Sequence, residues 1–104
     1  MSNDDLKGFP ASARTFEEFE ASARALGFDE ALIREWAPMT ALDEHTHPLD
    51  ANAVVKQGEM WLECGGDTRH LLPGDTFMLA NGTPHAERYG SQGATYWVAR
   101  RNPH

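Results

Sequence analysis

The sequence contains a single cysteine among 104 residues, Cys64, so it cannot close an internal disulfide. The same count excludes paired-cysteine zinc sites and CxxC redox motifs. Basic residues are scarce: nine Lys and Arg against sixteen acids, for a formal net charge of −7. Such a balance offers no basic patch for phosphates, which excludes nucleic acid and an anionic membrane surface as partners. No run approaches the roughly 18 uninterrupted apolar residues of a membrane span. The opening Met1-Ser2-Asn3-Asp4-Asp5 is acidic, whereas a secretory or transit peptide begins on basic residues. The expected compartment is the cytoplasm. Phosphate loops, nucleophile elbows, internal repeats and low-complexity tracts are missing as well.

What is present is ordinary globular composition, 40% hydrophobic and 24% charged, at a length that suits one domain. Charge is lopsided: residues 1–50 carry eleven acids and four bases, residues 51–104 five of each. An acidic helix and rim beside a neutral body follow. Residues 1–14, with Gly8 and Pro10, form a loose lead into a domain over 15–104. Thr15-Phe16-Glu17-Glu18 has the form of a capping box. Phe16, Phe19, Ala23 and Leu26 then recur at helical spacing up to Gly27, which predicts a helix over 15–26.

Beyond Gly27 the pattern changes. Short aromatic or aliphatic runs at 31–37, 42–47, 53–57, 59–64, 68–72, 76–79, 85–89 and 94–100 alternate with Pro, Gly and Asn. This punctuation predicts a small antiparallel β-barrel over about 31–100. Open strand edges, three tryptophans and five phenylalanines in so small a barrel predict a homodimer.

Three of the five histidines are placed suggestively. His45 and His47 are two apart, so on one strand both rings share a face. His85 opens a later strand after Gly82-Thr83-Pro84. Three imidazoles from two strands suit one divalent ion with coordination positions left open. Two surface histidines on an edge strand would give the same HxH pair. His70, His104 and Cys64 have no comparable company.

The stretch from Pro38 to Val98 resembles the cupin superfamily. The first cupin motif, G(X)5HXH(X)3–4E(X)6G, falls on Met39, His45, His47, Ala51 and Gly58. The second, G(X)5PXG(X)2H(X)3N, falls on Gly74, Ala80, Gly82, His85 and Tyr89. The resemblance implies a cupin-type double-stranded β-helix behind an N-terminal helix, with His45, His47 and His85 as metal ligands. Imidazoles admit iron, zinc, manganese, nickel or copper alike.

Departures from the motifs bear on function. Met39, Ala80 and Tyr89 stand at turn positions and are expected to alter only local backbone. Ala51 occupies the place of the glutamate that ligates metal in many cupins. Neighbouring Asp50 faces the other way on a regular strand and becomes a fourth ligand only through a bulge. Strand parity turns Glu87 inward with His85, where a desolvated carboxylate serves as general acid or base; the other reading pairs it with Arg100. The same parity lines the interior with Ala51, Ala53 and Val55, leaving space for a small ligand, and places Asp43 beside His45 as an acceptor or on the rim. The resemblance thus implies a metal-dependent enzyme (dioxygenase, lyase, isomerase or cyclase) acting on a small organic molecule, or else a non-catalytic small-ligand or sensor cupin.

Overall fold

The computed structural model describes residues 8–103; the start of the expected lead and His104 lie outside the described residues. Helix α1 (Phe16–Ala25) begins at its predicted cap, with the Thr15 hydroxyl accepting from the Glu18 amide at 3.1 Å. The Glu18 carboxylate accepts from the Arg14 amide, one residue before the cap, at 2.9 Å. No helix among the described residues is long and apolar enough to cross a membrane.

Six strands follow: β1 (Glu30–Trp36), β2 (Ala41–His45), β3 (Asp50–Cys64), β4 (Asp67–Leu71), β5 (Thr76–Leu79) and β6 (His85–Arg101). Eight runs become six strands because two pairs fuse. The runs at 53–57 and 59–64 lie on β3, and those at 85–89 and 94–100 on β6. Gly58 and Gly93 bend these strands without ending them. The register slips there, between Val55 and Gln57 and between Gly58 and Met60.

Each long strand therefore serves two sheet halves, all of whose pairings are antiparallel. In one, the second half of β6 lies between β1 and the first half of β3, with β5 outside. In the other, the first half of β6 lies between β2 and the second half of β3, with β4 outside. The corner admits only glycine. Gly58 and Gly93 have φ of +76° and +69°, which L side chains rarely adopt. A Cβ on Gly58 would run into the Gly93 carbonyl, and one on Gly93 into the Trp36 carbonyl.

The halves close on a core that includes Val55, Met60, Leu71, Phe77 and Tyr89. Tyr89, expected at a turn, is instead only 1% exposed and stacks on Trp36 at 5.2 Å, because β6 runs straight through that position. A second cluster forms outside the barrel. There Phe19 and Ala23 of α1 pack on Val54 and Ala99, and Phe16 meets Trp97 edge-on. The helix stripe thus covers the sheet's outer face. Met39 takes φ +62°, which explains why glycine is usual at that motif position.

Gly58→Ala is expected to cost about 3 kcal/mol, since roughly 1–2 kcal/mol of left-handed strain adds to a backbone collision. That is a melting midpoint lower by about 10 °C or more. Met39→Gly should move it slightly the other way, because relief of ~1–2 kcal/mol exceeds the ~0.5–1 kcal/mol entropic cost of glycine. Thermal melts followed by circular dichroism check both; an unchanged midpoint for Gly58→Ala contradicts the corner.

Candidate metal centre

His45 ends β2, His85 begins β6, and the two are direct cross-strand partners. Their ring centroids lie 4.4 Å apart. His47 lies past the end of β2, where its carbonyl accepts from the Gly82 amide at 2.9 Å. Its ring is 4.9 Å from that of His45 and 5.3 Å from that of His85. One nitrogen from each ring can be chosen so that all three lie within 4.8 Å of one another. Among the described residues this is the one such cluster of potential ligands.

The approach is not the flat-strand geometry expected of an HxH pair. Between Leu42 and His45 the register slips, so Asp43 and Glu44 of β2 face a single residue, Ala86, of β6. This bulge turns Leu42 and His45 toward the cavity and leaves Asp43 exposed. The Asp43 carboxylate is therefore not the group that orients His45. Its backbone carbonyl does so, 2.7 Å from His45 Nδ1. The Thr83 carbonyl holds His85 Nδ1 in the same way at 2.9 Å. A carbonyl only accepts, so both Nδ1 atoms carry the proton and both Nε2 lone pairs are free to ligate. The pKa of His47 is held below its usual 6.5, first by partial burial, then by the charges of His45, His85 and Arg100, against an opposing pull from Glu87. It is neutral at neutral pH, the form that binds a metal.

Glu87 faces inward two residues after His85 and is 6% exposed. Its Oε1 accepts from the Tyr89 hydroxyl at 3.0 Å. Its Oε2 lies 3.6 Å from His45 Nε2, too long for a hydrogen bond. Arg100, the alternative partner, makes no ion pair with it among the described residues; its charge acts instead on His47. Burial above all, then Tyr96 and Glu87, raise the Tyr89 pKa, so its hydroxyl stays a donor.

Asp50 is not brought to the cluster. β3 is regular at its start, pairing Asp50 with Arg101 and Ala51 with Arg100, so the bulge that would turn Asp50 inward is absent. Its Oδ1 accepts from the Asn81 amide at 2.7 Å, beside Phe28 and Met78 in a separate depression. Ala51 faces the histidines' cavity. His70 stacks on Trp61 at 4.6 Å and contacts Glu59 at 2.7 Å, remote from the centre.

The cavity has a volume of about 110 Å³, with Leu42, Phe77 and Val98 as apolar wall. Arg34 and Arg100 also line it. Arg34 was not foreseen as a site residue, although parity with Leu32 and Trp36 on β1 signals its inward direction. Tyr96 lies opposite Arg34, its pKa raised by burial and then by Glu87. Trp36 and Arg34 pull it the other way, but the indole contact falls short of hydrogen-bond geometry.

The model of the AraC-like ligand binding domain family matches residues 27–101. The chain belongs to this family. Its fold is that of the cupins, as solved structures show. DMSP lyase DddQ from Ruegeria pomeroyi is 26% identical with a TM-score of 0.64, over 69% of this chain and 37% of that one. KdgF from Halomonas sp. is 23% identical with a TM-score of 0.60, over 70% and 68%. The Cupin_2 domain of an XRE family transcriptional regulator from Enterobacter cloacae is 21% identical with a TM-score of 0.57, over 71% and 98%. This cupin thus spans little more than a third of the lyase's length. No curated protein sequence matches it.

The donor set of this cupin fits a divalent transition ion. Nitrogens bonded at about 2.1 Å to one tetrahedral ion stand about 3.4 Å apart, so from separations of up to 4.8 Å the rings need draw in by up to about 1.4 Å. We expect one zinc ion per chain by calorimetry, with His85→Ala weakening it at least about 100-fold. Asp50→Asn should leave the affinity within about threefold; a loss equal to that of His85→Ala would make Asp50 a ligand.

Proposed function

We propose that this cupin is a metal-dependent enzyme acting on a small organic molecule in the cavity between its sheet halves. Glu87 is the observation that carries the proposal. Burying a carboxylate costs several kcal/mol unless it is paired, and structural carboxylates usually gain a cation. Glu87 instead has a tyrosine hydroxyl on one oxygen and the histidine cluster near the other. It also falls outside the group of mutually close ligand atoms, which suits a proton carrier better than a fourth ligand.

In this reading His45, His47 and His85 hold the ion. Bound there, the ion supplies Lewis acidity and, if iron, oxygen chemistry, so the reaction class is lyase, isomerase, cyclase or dioxygenase. Glu87 takes or returns the substrate proton at Oε2 while Tyr89 fixes the carboxylate through Oε1. Leu42, Phe77 and Val98 keep water from the reacting groups. The likeness to a DMSP lyase supports the reading. Arg34, Trp36 and Tyr96 form the opposite wall. The same proposal includes a homodimer through the open strand edges, where Ile33 and Met78 are 49% and 74% exposed; sedimentation at a single chain's mass contradicts it.

A sensor or ligand-binding role is the second reading, favoured by the family's ligand-binding description and the likeness to a regulator's domain. Metal-loaded chain incubated with a panel of small acids, aldehydes and ketones, followed by proton NMR and an oxygen electrode, separates the two. We expect a compound consumed by wild type and spared at least about 100-fold by Glu87→Gln, with metal content unchanged. A compound bound and returned unaltered establishes the sensor.

A further inference from the structure

Although the chain carries a net charge of −7, its histidine-bearing cavity is rich in cations. Arg34 and Arg100 both line it, against one carboxylate, Glu87. Neither arginine makes an ion pair among the described residues. The Arg34 guanidinium lies over the Trp36 ring, its Cζ 5.0 Å from the centroid. Glu30 is the ladder partner of Arg100, yet the two are not within ion-pair distance. A second, independent observation concerns the same wall. Trp36 Nε1–H is buried and has no hydrogen-bond partner among the described residues.

The strand register gathers these donors. Arg34 stands opposite Tyr96, and Trp36 is two residues along on the same inner face. A guanidinium and an indole N–H therefore share one wall with a tyrosine hydroxyl. Folded chains rarely keep a buried N–H unsatisfied, and the Tyr96 hydroxyl on this wall approaches the indole without reaching hydrogen-bond geometry. An anionic acceptor suits this wall, because two guanidiniums line the same cavity. A carboxylate matches the guanidinium fork, which forms two parallel bonds. Size narrows the class further. An apolar cavity of about 150 Å³ holds benzene, and this one is about 110 Å³.

We propose that the cavity binds a small organic acid of about four to six non-hydrogen atoms, its carboxylate held by Arg34 and Trp36 Nε1–H and its carbon chain lying along the apolar wall toward the histidines. The assignment rests on the reading of this cavity as the substrate site and names the substrate's class. Arg100, on the cavity lining, adds attraction for an anion entering the cavity. Inorganic phosphate meets the same guanidinium chemistry but has no carbon chain for Leu42, Phe77 and Val98 to cover.

The test follows the Trp36 indole N–H resonance, identified by its loss in Trp36→Phe, in nitrogen-15 spectra of the full chain with and without zinc. Acetate, propionate and butyrate are titrated against propionamide, butyramide and inorganic phosphate. We expect at least one acid to shift the Trp36 resonance saturably and to bind at least about tenfold more tightly than its amide. Arg34→Gln should weaken the acid about tenfold or more, leave the amide unchanged and leave zinc stoichiometry at its wild-type value. The proposal is overturned if no acid gives a saturable shift up to about 50 mM. Amides binding as well as acids, or an unchanged affinity in Arg34→Gln, also overturn it. Phosphate moving the resonance at equal or lower concentration than every acid reassigns the site to phosphate. Binding is read without turnover, so an inactive protein leaves these outcomes standing, and a failed acid preference leaves the Glu87 result untouched.

Discussion

The Gly93 backbone passes so close to Gly58, and the Trp36 backbone so close to Gly93, that neither glycine has room for a Cβ. That approach lets β3 and β6 change sheets without breaking, and the rest of the molecule follows from it. Because both strands cross the corner, the two sheet halves fold over one another and bury a shared inner face. The start of β6 then lies beside the end of β2, which makes His85 the direct neighbour of His45. The same run of β6 carries Glu87 and Tyr89 inward behind the histidines.

Much of this was legible in the residues. Thr15 to Glu18 announced the helix start, and the spacing of His45, His47, Gly58, Gly74, Gly82 and His85 carried the cupin resemblance. Parity alone turned Glu87 inward. What escaped was decided by contacts between distant segments. Glycines at 58 and 93 look like strand ends until one sees that each accommodates a crossing backbone. The bulge at Asp43 and Glu44 has no glycine or proline to mark it, yet it decides that a carbonyl rather than a carboxylate orients His45. Tyr89 looked like a turn residue only because a motif places asparagine there. Arg34 shares inward parity with Leu32 and Trp36, but only the pairing of β1 with β6 shows that it stands opposite Tyr96.

The electrostatics of the centre follow one logic. Backbone carbonyls fix two imidazoles with their Nε2 lone pairs free, and burial first, then the neighbouring imidazoles and Arg100, hold the His47 pKa down. All three rings are thereby ready for a cation. The carboxylate missing at position 51 is met at Glu87, on a different strand and at a different angle. With the negative charge on the flank of the ligand ring rather than in it, an ion held there would keep more of its charge for a bound molecule. Alanine at 51 also opens the space that such a molecule needs.

The central claim is that His45, His47 and His85 bind a single ion. X-ray absorption of the zinc-loaded chain measures this directly. The account predicts three imidazole nitrogens at about 2.0–2.1 Å, with the remaining positions filled by oxygen from solvent. A spectrum with one imidazole or none, or one unchanged in His47→Ala, would contradict it.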